Sequence, residues 1–350
     1  MRSNKYFRKM AYGIVYIMLS AGLQLSFAKS IAIIIDKNIK PYETALGGFK
    51  QFLQEDNIAV SVKIYDVEGA GWVLDGKKIK DSNPDVIVTF GVETTRMAKE
   101  AISDIPIVFS MVFNPEKEGL VDSMEVPGRN VTGVCLDIPA ADQFKKMKSL
   151  FPEFKKVGVV YDPVNSDNFV KKAKKAAVSH GFEMITHSVS SSNEIMPAFE
   201  NLNGNVDLIW AIPDTTVYSS AVLKRILMFT LKNKIPLLGF SDSFARAGAL
   251  MGMYCDFEDI GKQTAELSIK VLNGKNAGST PVNSPRNIKV TLNINTAKVL
   301  GINVSEEVQG MVDEVLSLRP SDAGRNGCLL ALLPETAEDK RNIAGVSLRF

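Results

Sequence analysis

The sequence predicts an α/β protein made of two similar lobes, each a parallel sheet wrapped by helices. Short apolar runs alternate with amphipathic segments along most of the chain, beginning with SIAIII at 30–35 and PYETALGGFKQFLQE at 41–55. Continuous apolar runs are typical of strands buried on both faces, whereas apolar residues at steps of three or four indicate helices. This strand–helix alternation favours parallel sheets over an all-helical or all-β fold.

The two halves of the chain also resemble each other in one ordered stretch. PDVIVTFGVETTRMAKEAI, followed by IPIVFS, aligns with VDLIWAIPDTTVYSSAVLK, followed by IPLLGFS. An aspartate, a threonine pair and an Ile-Pro step coincide in this alignment: Asp85 with Asp207, Thr94-Thr95 with Thr215-Thr216, and Ile105-Pro106 with Ile235-Pro236. The similarity is weak but covers more than one element, so we expect two lobes of the same construction.

The individual elements follow from local patterns. Apolar or alternating runs predict strands at 30–35, 61–67, 85–90, 105–112 and 130–137, and then at 155–162, 182–189, 206–212 and 235–240. Helical spacing, as at Ala45, Phe49 and Leu53, predicts helices at 41–55, near 72–80, 94–102, 168–179, 192–202 and 216–233. Gly181 is a stop signal for the helix before it.

The segment after residue 248 is too short for a third lobe. It contains a strand at 249–256, an amphipathic helix at 257–275 and a strand at 287–294. We therefore expect the chain to cross between the lobes several times and to form a hinge. The predicted first lobe combines 29–138 with 249–278, the second combines 139–248 with 279–315, and 316–350 is a tail with little periodicity.

The first 28 residues have the pattern of a secretory signal. Four basic residues precede an apolar stretch, and Ser26-Phe27-Ala28 provides a cleavage site. An uncleaved anchor helix fits less well, because the apolar segment is short. We expect cleavage after Ala28 and a periplasmic location. The remaining 37 basic and 39 acidic residues give a net charge of −2, so nothing indicates a nucleic-acid partner.

The candidate ligand contacts are the polar and aromatic residues at the predicted strand ends, where open parallel sheets bind ligands. They are Asp36, Tyr42, Thr94, Thr95 and Asn114 in the first half, and Tyr161, Asn165, Asn168, Asp214, Thr215, Ser241 and Ser243 in the second. Hydroxyls and helix N–H groups suit an anion, a carboxylate suits an ammonium, and aromatic rings suit an apolar ligand body. Together they predict a small-molecule cleft between the lobes.

Asp214 allows three interpretations: a catalytic base, a ligand clamp or a helix cap. Its position after Pro213 at a strand end favours the clamp somewhat, while Thr94, Thr95 and Thr215 fit N-caps equally well. The histidines at 180 and 187 belong to no catalytic or metal-like arrangement, so we expect no catalytic residue, metal or cofactor. The sequence leaves open whether two of the three cysteines, Cys135 and Cys255, form a disulfide.

Seven stretches together resemble one protein family: PDVIVTFGVETT, IPIVFSMVFNPEKEGLV, NVTGV, FPEFKKVGVVYDPVNSDN, VDLIWAIPDTTV, KNKIPLLGFSDSFARAGAL and YCDFEDIGKQTAELSIKVLNGK. The chain is similar, from about Ser30 to Val315, to the ABC transporter substrate-binding proteins that include tryptophan- and tyrosine-binding members. The resemblance implies the type I periplasmic-binding-protein fold, with two Rossmann-like lobes joined by a hinge. It also implies ligand contacts at Thr94, Thr95, Asn114, Asn165, Asn168 and Asp214, with Ser241 and Ser243 in a further polar loop.

These expectations lead to one main hypothesis, an exported, monomeric solute-binding protein. The two lobes would close around an amino acid or related metabolite and present the closed form to the membrane permease of an ABC importer. Helix N-termini at Thr94-Thr95 would hold the anionic end of the ligand, and Asp214 a donor group. An alternative keeps the fold but makes the protein a periplasmic sensor for a receptor or histidine kinase. An exported enzyme is a third, less favoured hypothesis.

Overall fold

The computed structural model describes residues 29–67 and 74–317. The predicted signal at 1–28, Cys328 and all but the first two residues of the predicted tail lie outside this part of the chain. Within it, two separate sheets form, and both carry buried apolar clusters on their two faces. The predicted α/β architecture is confirmed.

The first sheet contains five parallel strands in the order β2-β1-β3-β4-β5. They are β1 (Ser30–Ile35), β2 (Ser61–Asp66), β3 (Val86–Phe90), β4 (Ile107–Val112) and β5 (Val131–Cys135). The helices of this half are α1 (Lys40–Glu55), α2 (Gly76–Lys80) and α3 (Val92–Ala101). β3, β4 and β5 are buried along their whole length, as the continuous apolar runs predicted.

The second sheet contains seven strands in the order β12-β11-β10-β9-β8-β6-β7. They are β6 (Lys156–Tyr161), β7 (Glu183–Ser188), β8 (Leu208–Trp210), β9 (Leu237–Gly239), β10 (Met251–Cys255), β11 (Ile288–Asn293) and β12 (Glu314–Leu316). The helices from residue 140 onward are α4 (Ala140–Leu150), α5 (Pro163–Ser179), α6 (Ser192–Leu202), α7 (Ser220–Lys232), α8 (Asp242–Arg246), α9 (Phe257–Leu272), α10 (Ile294–Leu300) and α11 (Glu306–Gly310). Of these, α9 packs on the first lobe. β10 and β11 pair antiparallel; the other neighbouring strands pair parallel.

Two predicted helices begin elsewhere in the structure. α5 begins at Pro163, five residues before the predicted start, because proline is pre-organised for the first turn and the Asp162 carboxylate accepts a hydrogen bond from Val164 N (2.9 Å). α7 begins at Ser220 rather than 216, because the turn after Asp214 holds the intervening residues outside the helix. The first shift shortens the loop after β6, and the second lengthens the non-helical segment after β8.

The chain crosses between the sheets three times, and the second and third crossings differ from the predicted boundaries. The prediction assigned all of 249–278 to the first lobe. Instead, β10 pairs with β9 in the second sheet, and the crossing comes after Cys255. Helix α9 then packs on the first lobe, where Thr264 Oγ1 donates to Ser110 Oγ (2.9 Å). Asn283 still bridges to Val134 of β5, so the third crossing lies at 284–287 rather than at 279.

Helices α1 and α9 pack at short range through two glycines. A Cβ atom on Gly48 would overlap the backbone of Glu258, and one on Gly261 would overlap the backbone of Ala45. Gly48 thus serves helix packing in the first lobe, whereas its neighbour Gly47 faces open space. Because α9 follows the second crossing, this contact joins the start of the chain to a segment more than 200 residues away.

Ion pairs surround the second and third crossings. Arg286 donates to both oxygens of Asp259 at 2.8–3.0 Å, and its Nη1 lies 2.8 Å from Glu266. Lys289 lies between Asp256 (3.4 Å) and Asp313 (3.1 Å). Arg286 therefore fastens the third crossing to α9 of the first lobe.

We expect Arg286→Met to lower the free energy of unfolding by about 1–3 kcal/mol, because it leaves the mostly buried carboxylate of Asp259 without its cationic partner. The side chain of Asp259 is 11% exposed. Arg246→Met is the matched control: Arg246 also contacts two carboxylates, Asp242 and Glu314, but these are 42% and 39% exposed. Its loss should stay below about 1 kcal/mol in urea denaturation. Equal losses in the two variants would contradict this account.

Candidate ligand-binding cleft

The carboxyl ends of the two sheets meet at a narrow crevice. Phe113, Asn114, Lys117 and Glu118 line it from the segment after β4, and Asn165, Pro213 and Thr215 line it from the second lobe. Lys117 Nζ reaches across and donates to Asn165 Oδ1 at 3.0 Å. The crevice has a volume of about 30 Å³, far below the 300–1,000 Å³ or so of a typical ligand pocket. An amino-acid-sized ligand could enter only if the lobes or their loops move.

In the first lobe, Gly91 and Tyr42 form a tight contact beside the start of α3. Gly91 has φ 90° and ψ 172°, a conformation that is essentially restricted to glycine, and a Cβ there would overlap the Tyr42 hydroxyl. Burial, followed by the charges of Asp36 and Glu93, raises the pKa of Tyr42 to about 12. No side chain caps α3, so its first N–H groups remain free to face an anion.

Thr94 and Thr95 do not act as N-caps. Thr94 Oγ1 donates to Phe90 O (2.7 Å), and Thr95 Oγ1 donates to Gly91 O (2.6 Å). Both side chains are buried, with 5% and 0% exposure. Their hydroxyls are thus engaged with the protein backbone, and what this helix offers a ligand is its N–H groups.

The end of β4 has unusual backbone geometry. The pairing with β5 shifts register between Ser110 and Val112, and the intervening Met111 has φ 60°. Asn114, three residues further, has φ 47°, and its N–H donates to Asp137 Oδ2 at 2.7 Å. Bulges and positive φ at non-glycine residues concentrate at functional sites. Here they turn Phe113 and Asn114 into the crevice lining.

In the second lobe, the Asp214 carboxylate is the centre of a buried hydrogen-bond network. Oδ2 accepts from Asp162 N (2.8 Å) and Ser166 Oγ (2.8 Å), and Oδ1 accepts from Thr216 N (3.1 Å) and Val217 N (3.3 Å). Asp214 is 2% exposed. Asp214 therefore holds the turn after β8 and the end of β6, whereas the N-cap of α7 is Ser219. Both carboxylate oxygens are engaged, which gives Asp214 no free acceptor position for a ligand.

A second network extends from Asp162 to the crevice. Asp162 Oδ2 accepts from Thr216 Oγ1 (2.8 Å) and Asn165 Nδ2 (3.3 Å), and Asn165 Nδ2 also donates to Thr216 Oγ1 (3.1 Å). This leaves the Asn165 oxygen pointing to Lys117. The two aspartates thus orient Asn165, which is the group that contacts the opposite lobe.

Most of the other residues predicted to contact a ligand do not line the crevice. Asp36 follows β1 and accepts from Asn38 N within its own loop (2.9 Å). Tyr161 ends β6 partly buried, Thr215 is exposed at the crevice, and Asn168 is exposed on α5. Ser241 Oγ and Ser243 Oγ hydrogen-bond each other at 2.6 Å beside α8. Of the twelve predicted residues, only Asn114, Asn165 and Thr215 line the crevice directly.

Four residues that line the crevice are not among the twelve predicted from the sequence: Phe113, Lys117, Glu118 and Pro213. Three of them lie in or beside the VFNPEKEG stretch, and Pro213 directly precedes Asp214. Their positions at strand ends were the available signal, but nothing in the sequence showed which side chains would face the opposite lobe.

Other sequence predictions can be compared with the described residues. Cys135 and Cys255 are both buried free thiols. Across 29–67 and 74–317, no group of three or more His, Cys, Asp or Glu residues could hold a metal ion. No helix in the same ranges is both long and apolar enough to cross a bilayer.

Comparison with known proteins identifies the family. A family model described as ABC transporter substrate binding protein matches residues 40–316. The chain belongs to this family. This substrate-binding protein is 29% identical over 268 residues to a tyrosine-binding protein of Clostridioides difficile (strain R20291), covering 76% of this chain and 77% of that protein.

Solved structures agree with the fold of this substrate-binding protein. An ABC domain from Streptococcus pneumonia, in complex with L-Trp, is 25% identical with a TM-score of 0.57, covering 82% of this chain and 99% of that one. The ligand-free, open structure of a substrate-binding protein with adhesive properties from Clostridium difficile has a TM-score of 0.67 at 22% identity, covering 83% and 100%. The type I periplasmic-binding-protein architecture is thereby confirmed.

We expect Asp214→Asn to destabilise the substrate-binding protein by about 2–4 kcal/mol. An amide can keep one acceptor oxygen, but its NH₂ group must face at least one backbone N–H in either orientation, because only Ser166 Oγ among the four donors can also accept. Ser166→Ala removes one donor and should cost less. Urea denaturation measures both values, and an Asp214→Asn protein as stable as the wild type would contradict the structural role.

Tyr218 supplies a prediction of opposite sign. Its hydroxyl is buried without a hydrogen-bond partner in the described structure, among Phe199, Phe240 and Phe244. Tyr218→Phe should therefore raise the free energy of unfolding by about 1 kcal/mol, since it removes an unsatisfied polar group. Tyr65→Phe is the control, because the Tyr65 hydroxyl hydrogen-bonds Ser82 Oγ (2.9 Å) and its loss should lower stability.

Proposed function

We propose that this protein is the solute-binding component of an ABC importer and that its two lobes close around an amino acid with an aromatic side chain. One observation carries the proposal. In a chain of the substrate-binding family, the strand ends of two sheets meet at one crevice, with Lys117 and Asn165 in contact across it. A cleft formed by two lobes and bordered by chain crossings suits capture by closure.

The chemistry of the crevice supports an amino-acid ligand. The Lys117 ammonium in the crevice is suited to a carboxylate, as is the uncapped N-terminus of α3 at the end of β3 in the same lobe. Phe113 and Pro213 provide an apolar surface for a ring, and Asn165 provides a polar contact. The relatives named for tyrosine and found with L-Trp support the aromatic side chain.

The importer role rests on the family and on the first 28 residues. We expect these residues to direct export and to be removed, which would place the folded chain in the periplasm. There the closed form would be recognised by a membrane permease. The named relatives are substrate-binding proteins, so binding without chemical conversion and without a cofactor is the expected activity.

Closure has a simple thermodynamic requirement. The narrow crevice has to widen to admit the ligand and then close on it. A ligand shifts this equilibrium only by its difference in affinity between the two states. Contacts from both lobes supply such a difference, because an open form loses the contacts made by one lobe.

The proposal predicts that L-Tyr or L-Trp raises the melting temperature of the purified chain without residues 1–28. Acidic amino acids, sugars and purines serve as comparison ligands in the same thermal-shift assay. Binding by L-Tyr or L-Trp should also reduce the radius of gyration in solution X-ray scattering, since the lobes close. If no amino acid changes the melting temperature, the proposed function is wrong.

A variant pair tests whether the crevice is the site. Lys117→Met should weaken the affinity for the amino acid about 10-fold or more, because it removes a cation from the site. Lys50→Met, on the exposed side of α1, is the control and should leave the affinity unchanged. Isothermal titration calorimetry measures both, and equal affinities in the two variants would place the ligand elsewhere.

A further inference from the structure

An amino acid bound in the crevice needs an anionic partner for its ammonium, and most carboxylates at the strand ends are already engaged. Asp214 and Asp162 accept hydrogen bonds from the protein at both carboxylate oxygens. Glu93 and Glu118 both contact the guanidinium of Arg96, at 2.8 and 2.9 Å. An ammonium would have to displace these partners.

Two further carboxylates at the strand ends, Asp36 and Asp137, form no ion pair in the described structure, and neither lines the crevice itself. Asp36 lies with Tyr42 at the end of β1 and accepts from Asn38 N in its own loop, so this hydrogen bond does not lead to the crevice. Asp137 lies directly behind Asn114, which does line it, and accepts the Asn114 N–H at 2.7 Å. The Cys135 thiol lies beside it and donates to the backbone carbonyl of Asp137 (3.9 Å).

Asp137 also occupies the first crossing between the lobes. It lies between β5 and α4, where the chain passes from the first sheet to the second. A charged group at this position would stay near the cleft however far the lobes open, because the crossing belongs to both. Asp137 is thus placed near the floor of the cleft rather than on either wall.

We propose that Asp137 is the acceptor for the ammonium group of the bound amino acid. The inference rests on the proposed function and specifies which side chain selects a ligand with an α-ammonium. In the free protein the carboxylate accepts from an uncharged donor, the backbone N–H of Asn114. A ligand ammonium would supply the missing opposite charge.

The surroundings of Asp137 predict how binding depends on pH. Burial raises the pKa of Asp137 to about 6, and the charge of Glu116 acts in the same direction. Burial also raises the pKa values of the Cys135 and Cys255 thiols, so neither is charged between pH 5 and 8. Because protonated Asp137 has no charge to offer, affinity should fall as the pH drops below about 6.

The test uses L-Tyr, L-Trp and their desamino analogues, 3-(4-hydroxyphenyl)propionate and indole-3-propionate, in calorimetry with the chain without residues 1–28. Asp137→Asn should weaken amino-acid binding about 30-fold or more. Its affinity for the desamino analogues should stay close to that of the wild type. The same variant should lose the pH dependence between pH 5 and 8. Asp142→Asn, an exposed carboxylate at the start of α4, is the matched control and should behave like the wild type.

The outcomes are distinguishable. If Asp137→Asn binds amino acids with wild-type affinity, the inference is wrong and the proposed function stays intact. The same holds if the 30-fold loss of affinity occurs in Asp36→Asn and not in Asp137→Asn. Failure of wild type to bind any amino acid would overturn both.

Folding is checked by the melting temperature at pH 8. Ionisation of Asp137 opposes folding because its pKa is raised, so Asp137→Asn should melt no lower than wild type there. If Asp137→Asn melts lower than wild type, Asp137→Ser takes its place. The measured quantity is again the affinity for the amino acid relative to the affinity for its desamino analogue.

Discussion

The buried carboxylate of Asp214 fixes the loops at the carboxyl ends of β6 and β8 in the second lobe. Four donors from three segments converge on its two oxygens, and two of them come from the end of β6 and the start of α5. Strands β6 and β8 are neighbours in the sheet, so this carboxylate joins their ends where the ladder hydrogen bonds stop. A charged acceptor among N–H and O–H donors stays stable when buried because every lone pair has a partner.

The consequences of this network reach the opposite lobe. Asp214 fixes the Thr216 backbone, Thr216 and Asp162 together fix Asn165, and Asn165 accepts the hydrogen bond from Lys117. The first lobe uses a different device, a strained backbone: Gly91, Met111 and Asn114 all have positive φ near their strand ends. One side of the crevice is thus held by buried polar groups, and the other by backbone geometry.

Much of the fold could be predicted because buried parallel strands and amphipathic helices leave clear periodicities. β1, α1 and α6 were located within one residue at both ends. Short elements such as α8 and β12 were missed because five or three residues carry no period. The second crossing was misplaced because a central strand such as β10 looks the same in either sheet.

The site was harder to predict because its contacts join residues far apart in sequence. PDTT was singled out, but two of the four donors to Asp214 lie 48 and 52 residues earlier. A threonine after a strand also gives no indication whether its hydroxyl faces a ligand or, as at Thr94, a backbone carbonyl. Lys117 and Asp137 were overlooked because their roles depend on how the two lobes face each other.

The packing of α9 on α1 has a consequence for the order in which the protein can fold. The first lobe buries one face of α1 only when residues up to Leu272 are available, although β5, its last strand, ends at Cys135. During synthesis, the first lobe would therefore be incomplete until most of the chain has left the ribosome. Such a delay keeps the chain uncollapsed for longer, and a chain that crosses a membrane as an unfolded thread would benefit from that delay.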